Sequence, residues 1–155
     1  MKVIVGSDHA GFAAKQALVA ALKKMGHSVT DAGTDGPDSV DYPDFAVQVG
    51  RAVADAEAER GILICGTGIG MAMAANKIPG VRAAVVTNEF TAEVSRRHND
   101  ANVLAMGARV QTPEKMEELA RIFLESPFDG GRHAGRVDKI NKLDHKTTTD
   151  DSDEG

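Results

Sequence analysis

Apolar and polar positions along the chain follow two alternating rhythms. Five short runs of aliphatic and β-branched residues, at 2–6, 27–32, 61–65, 81–86 and 103–107, are each followed by a segment with helical spacing. After the first run, Ala14, Leu18, Ala21, Leu22 and Met25 recur three to four residues apart until Gly26 stops the helix. The second helix opens at Pro43 and puts Phe45, Val49 and Val53 on one face. An Ala/Met-rich helix runs to Lys77 after the third run, and the fourth helix, capped by Asn88 or Thr91, ends near Arg97 with Asn99 as its candidate C-cap. The fifth spans 113–125 with Met116, Leu119, Ala120, Phe123 and Leu124 on one stripe. Strands alternating with helices of this length predict right-handed crossovers and a parallel sheet covered on both faces. The expected architecture is a single three-layer, Rossmann-like α/β domain. It has a five-stranded parallel sheet and an extra C-terminal helix, from about Arg132 to Leu143, that no strand follows.

Composition agrees and narrows the class. The chain has 155 residues, 42% of them hydrophobic, enough for one core. One Tyr, five Phe and no Trp beside abundant Ala, Val and Gly suit close-packed parallel strands better than a β-sandwich. No apolar run approaches the roughly 20 residues that span a bilayer, and the first apolar stretch reads as a strand rather than a secretory segment. A single cysteine, Cys65, excludes an internal disulfide framework and a multi-cysteine zinc site. The expectation is a cytoplasmic protein that does not enter membranes.

Charge divides unevenly. The net charge is −5, of which residues 144–155 carry −4 and the body −1. A near-neutral body offers no electrostatic footprint for nucleic acid, and the acidic end would repel it. The domain is therefore expected to span 1–143, followed by an acidic, disordered tail at 144–155.

In parallel α/β folds, ligands sit beyond the carboxyl ends of the strands. Cys65-Gly66-Thr67-Gly68-Ile69-Gly70 occupies such a place, between an apolar strand and a helix. Its glycines let main-chain N–H groups converge on an anion, although a tight strand–helix turn with no ligand has the same composition. Met71 and Met73 stand where a dinucleotide fingerprint needs Gly or Ala, and no Gly-Lys-[Ser/Thr] follows, so both nucleotide motifs fail. Cys65, against a helix N-terminus, stands where thiolates are favoured; a buried core thiol is the plain alternative. Asp8-His9 follows the first strand and should share the Cys65 edge. His98-Asn99 closes the fourth helix, where a histidine also complements the helix dipole. Arg132 and Arg136 lie one turn apart, spaced to grip a phosphate or to form a solvated basic face. The dispersed histidines show no metal-ligand spacing, so no metal is expected.

Six motifs together carry a resemblance. They are Gly6-Ser7-Asp8-His9-Ala10-Gly11-Phe12, Asp41-Tyr42-Pro43, Ile64-Cys65-Gly66-Thr67-Gly68-Ile69-Gly70, Ala74-Ala75-Asn76-Lys77, His98-Asn99-Asp100 and Gly130-Gly131-Arg132-His133-Ala134-Gly135-Arg136. In this order they resemble the ribose/galactose-isomerase family, and within it the type B ribose-5-phosphate isomerases. The resemblance runs from Val3 to about Leu143. It implies interconversion of ribose 5-phosphate and ribulose 5-phosphate without metal or organic cofactor, by a homodimer or tetramer whose active sites are shared between subunits. It assigns Cys65 as general base, His98 to ring opening and Asp8 to the sugar hydroxyls or ring oxygen. His9, Arg132 and Arg136 would hold phosphate, with both arginines reaching in from the partner. Tyr42 and Asn99 would contact the sugar. The amides of Gly66, Gly68, Ile69 and Gly70, with the Thr67 hydroxyl, would stabilise an enediolate. Where part of the family has a glutamate base, this chain has Met71, which takes no proton, so the resemblance is to the cysteine branch.

The rival readings keep or discard this chemistry. A six-carbon allose or galactose 6-phosphate keeps the mechanism, with residues 34–41, His9 and Arg109 setting the length of sugar accepted. A non-catalytic sugar-phosphate binder would need no base. A thiol hydrolase built on Cys65 and His98 would need an acyl pocket, for which the sequence has no sign.

Overall fold

The computed structural model describes residues 1–145; the expected disordered tail lies outside the described residues from 146 onward. Five strands and six helices alternate: β1 (Lys2–Ser7), α1 (Phe12–Lys24), β2 (Ser28–Asp31), α2 (Tyr42–Ala54), β3 (Arg60–Cys65), α3 (Ile69–Ala75), β4 (Ala83–Val85), α4 (Glu89–Arg97), β5 (Val103–Gly107), α5 (Pro113–Glu125) and α6 (Arg132–Lys142). A 3₁₀ turn, Leu143–His145, follows α6, and its Asp144 carboxylate accepts the Gly80 N–H at 2.8 Å.

Every strand pairing is parallel and the order is β2-β1-β3-β5-β4. Alternate strand residues feed the two faces. Val3, Val5, Ile62, Ile64, Leu104 and Met106 pack with Leu18 and Leu22 of α1, Ala92 of α4 and Met116, Leu119 and Phe123 of α5. Ile4, Leu63, Cys65, Val103 and Ala105 pack with Ala46, Val49 and Val53 of α2 and Met71, Ala72 and Ala75 of α3. The three central strands are buried on both sides, as continuous aliphatic runs require. β4 is only three residues long, because Ala83, Ala84 and Val85 lie at the sheet edge with partly solvated side chains.

Local signals set most element ends. Pro43 lies in the first turn of α2, Gly26 ends α1 at φ +94°, and Thr112 caps α5 by accepting the Lys115 N–H. Asn88 and Thr91 act together as a reciprocal capping box on α4. β4 is shorter than the expected 81–86, and two helix C-termini also differ from expectation. α3 stops at Ala75, since the Asn76 side chain turns to bond both main-chain groups of Ala83. His98, not Asn99, is the C-cap of α4, and Asp100 makes the turn at φ +47°, held by Arg96 and Arg82.

Candidate active site

The chain reverses its course across the sheet between β1 and β3, so α1 and α3 leave on opposite faces and open a crevice above those two strands. Asp8 and Cys65 sit at its foot. The Asp8 N–H donates to the Ile64 carbonyl at 3.2 Å, tying the ends of β1 and β3 together. Gly11 makes this approach possible, because a Cβ there would lie 2.5 Å from the Ile64 oxygen. The Asp8 Oδ1 atom accepts the Gly11 N–H at 3.1 Å and the residue is buried.

Cys65 is the last residue of β3 and is 5% exposed. Its Sγ accepts the Gly68 N–H at 3.1 Å, and Gly68 reaches that position at φ +86°, a conformation open to glycine. Thr67 Oγ1 accepts the Ile69 N–H at 3.2 Å. The N–H groups of Gly66, Thr67 and Gly70 have no partner among the described residues, so the turn that follows Cys65 keeps unspent donors. Two side chains wall this turn. Arg109 lies across Gly66, and the Tyr42 ring covers Gly70 so closely that a Cβ there would fall 2.6 Å from Tyr42 Cζ. Together with Asp8, Ile69 and Met73 they enclose an open cleft of about 490 Å³. Beside it, His9 Nδ1 accepts the Val40 N–H at 3.2 Å, which fastens the 34–41 loop and leaves Nε2 as the donor nitrogen of a neutral ring.

His98, Asn99, Arg132 and Arg136 are elsewhere. A helix after a parallel strand runs back toward the strand N-termini, so the end of α4 lies at the opposite sheet edge. The Asn102 carbonyl, just past α4, accepts from Gly61 near the start of β3, and four residues at about 3.3 Å put that level about 13 Å below Cys65. Asn99 lines a separate cavity of about 400 Å³ with Arg82, Ile140 and Leu143. α6 begins at this lower edge, where the Asp129 N–H donates to the Arg97 carbonyl at 3.0 Å, and both of its arginines are exposed.

Two residues at this edge lie outside the sequence candidates. His133 stacks on His98 with ring centroids 4.3 Å apart and planes 11° from parallel, and Asp129 stands beside both. The sequence signal for them is slight: Gly130-Gly131, which permits the sharp reversal that puts His133 over His98. Partial desolvation, then His98, Arg132 and Arg136, push His133 below the ordinary histidine value, with Asp129 opposing. One ligand-type atom from each of His98, Asp129 and His133 lies within 4.8 Å of the others. The rings face each other in parallel, however, so their nitrogen lone pairs do not converge as a metal site requires, and Arg97 already bonds Asp129 Oδ1 at 3.0 Å.

The crevice at a switch point, a thiol at the start of a glycine turn with unspent amides and a buried carboxylate define an α/β enzyme site for a small polar substrate. The sequence profile of the ribose/galactose isomerases matches residues 3–140. The chain belongs to that family. It is 44% identical over 145 residues to ribose-5-phosphate isomerase B of Escherichia coli, covering 94% of this chain and 97% of the relative. The solved structure of ribose-5-phosphate isomerase B from Clostridium thermocellum superposes with a TM-score of 0.91 at 51% identity, covering 92% of this chain and 97% of that one. The same enzyme from Mycoplasma genitalium, solved with bound ribulose 5-phosphate, gives a TM-score of 0.90 at 41% identity, covering 94% and 97%. Among the described residues no helix is long and apolar enough to cross a membrane.

Proposed function

We propose that this chain interconverts D-ribose 5-phosphate and D-ribulose 5-phosphate through an enediolate, with Cys65 as the general base. The observation that carries this is the sulfur at the foot of the cleft, an acceptor for Gly68 N–H and flanked by the unspent amides of Gly66, Thr67 and Gly70. With Cys65 acting as the thiolate, the C2 proton of the open-chain aldose passes to Sγ and its electron pair forms the C1–C2 double bond. Negative charge then builds on O1, within reach of those amides, where each well-placed donor is worth about 3 kcal/mol. The hydroxyl proton leaves O2 and one arrives at O1, for which Asp8 keeps Oδ2 available because Oδ1 is spent on Gly11. The proton on sulfur returns to C1, and atoms and charge balance without a cofactor. Tyr42 and Arg109 line the cleft that would take the sugar, and His9, whose Nδ1 is spent on the Val40 N–H, would bind phosphate through Nε2.

Ring opening by His98 and phosphate binding by Arg132 and Arg136 require a second copy. One chain separates these groups from Cys65 by the depth of the sheet, so the complete site is shared across a homodimer. Ile69, Met73, Phe90 and Val110 are exposed at the Cys65 edge, an apolar rim that a second copy would cover. Phosphorylated sugars are charged and do not cross bilayers, which suits a cytoplasmic enzyme. The direct test is isomerisation of ribose, allose and galactose phosphates by the purified protein, side by side. Ribose 5-phosphate should have the highest kcat/KM; a preference for either hexose phosphate would reassign the substrate, and no exchange on any of them would overturn the reading.

A further inference from the structure

His98 ends α4 by a main-chain bond, its N–H to the Val94 carbonyl at 2.9 Å, and its ring has no hydrogen-bond partner among the described residues. A ring at a helix terminus without a side-chain bond is free to turn about χ2, which suits a proton-transfer group poorly. What meets it is the face of His133, 4.3 Å away and nearly parallel.

We propose that His133 is a positioning residue that holds the His98 imidazole at a fixed tilt by stacking on it. This rests on the reading of His98 as the ring-opening group.

The surroundings are built to keep the stack in place. Arg97, one residue before His98, bonds Glu93 at 2.7 Å and Asp129 at 3.0 Å, while its carbonyl accepts the Asp129 N–H. The segment before α6 is thereby pinned to the last turn of α4. Gly130 and Gly131, at φ +66° and +53°, then reverse the chain within two residues, and the His133 N–H closes the turn on the Gly130 carbonyl at 3.0 Å. His133 arrives as the second residue of α6 with little freedom of its own. Its depressed proton affinity keeps it uncharged at neutral pH, so the pair stacks rather than repels. The same helix turn carries Arg132, so one rigid element would both grip phosphate and orient the ring-opening group.

Three variants decide the matter. His133→Ala should lower kcat on ribose 5-phosphate roughly 10- to 100-fold, as about an ångström of misplacement does, with KM unchanged within about twofold. His133→Phe, which keeps a flat ring, should restore most of that loss. The His98 ring-proton resonances should move downfield in the alanine variant and much less in the phenylalanine variant, a readout independent of turnover. Unchanged kcat in His133→Ala would overturn the proposal, as would a raised KM at constant kcat, or a phenylalanine variant as impaired as the alanine one. His98→Asn, run in parallel, separates the two readings. If it is as active as wild type, the assignment of His98 itself fails. If it is impaired while His133→Ala is not, only the stack loses its role.

Discussion

Strand polarity makes a quantitative claim about mixed subunits. In one chain Cys65 ends β3, whereas His98 ends α4, which descends nine residues from the upper edge, about 13 Å at 1.5 Å per residue. If catalysis needs both groups on one sugar, they come from different subunits. Cys65→Ala and His98→Asn homodimers then each contain two broken sites. A heterodimer of the two contains one site with both substitutions and one with neither. Random pairing from an equal mixture makes half the dimers heterodimers, each with one of two sites intact, so about a quarter of wild-type kcat should return. Heterodimers isolated through two different affinity tags should show about half the wild-type value per dimer, with unchanged KM at the intact site. The assay is initial-rate ketose formation on the co-expressed proteins, against each variant alone. Activity no greater than the two parents' average, in heterodimers proven by mass, would refute the separation argued from the sheet.

Other perturbations follow from the same geometry. Cys65→Ala should reduce kcat roughly 10²- to 10⁴-fold while ribose 5-phosphate still binds, as read by calorimetry; lost binding would make the thiol structural. Gly107→Ala would place a Cβ 2.6 Å from Thr67 Cα and 2.7 Å from the Gly66 carbonyl, main-chain atoms that cannot swing aside. It should cost about 1–3 kcal/mol in urea unfolding and lower kcat by moving the turn, whereas Gly36→Ala, with open space around it, should do neither. His133 titrates lower in the folded state than its ordinary 6.5, so the unfolded chain takes up its proton first as pH falls. Folding stability should therefore decline below about pH 6.5 and level off below the depressed folded value, and His133→Phe should flatten that slope in denaturant titrations.

Much of the crevice was legible in the residues because the information was local. Aliphatic runs separated by 3.6-residue stripes specify parallel strands and covering helices, and strand direction alone brings Asp8 and Cys65 to one edge. The glycine turn was legible too, since Gly68 at φ +86° and Gly11 against Ile64 are places where a side chain has no room. The family resemblance named His98, Arg132 and Arg136 as candidates for the chemistry, but gave no distance between them and the thiol. Only the assembled sheet decided that β5 lies between β3 and β4, and that the α6 turn folds His133 onto His98. Periodicity records which face of an element is buried. It carries no information on which distant segment buries it, because that choice is made by packing among all the elements at once.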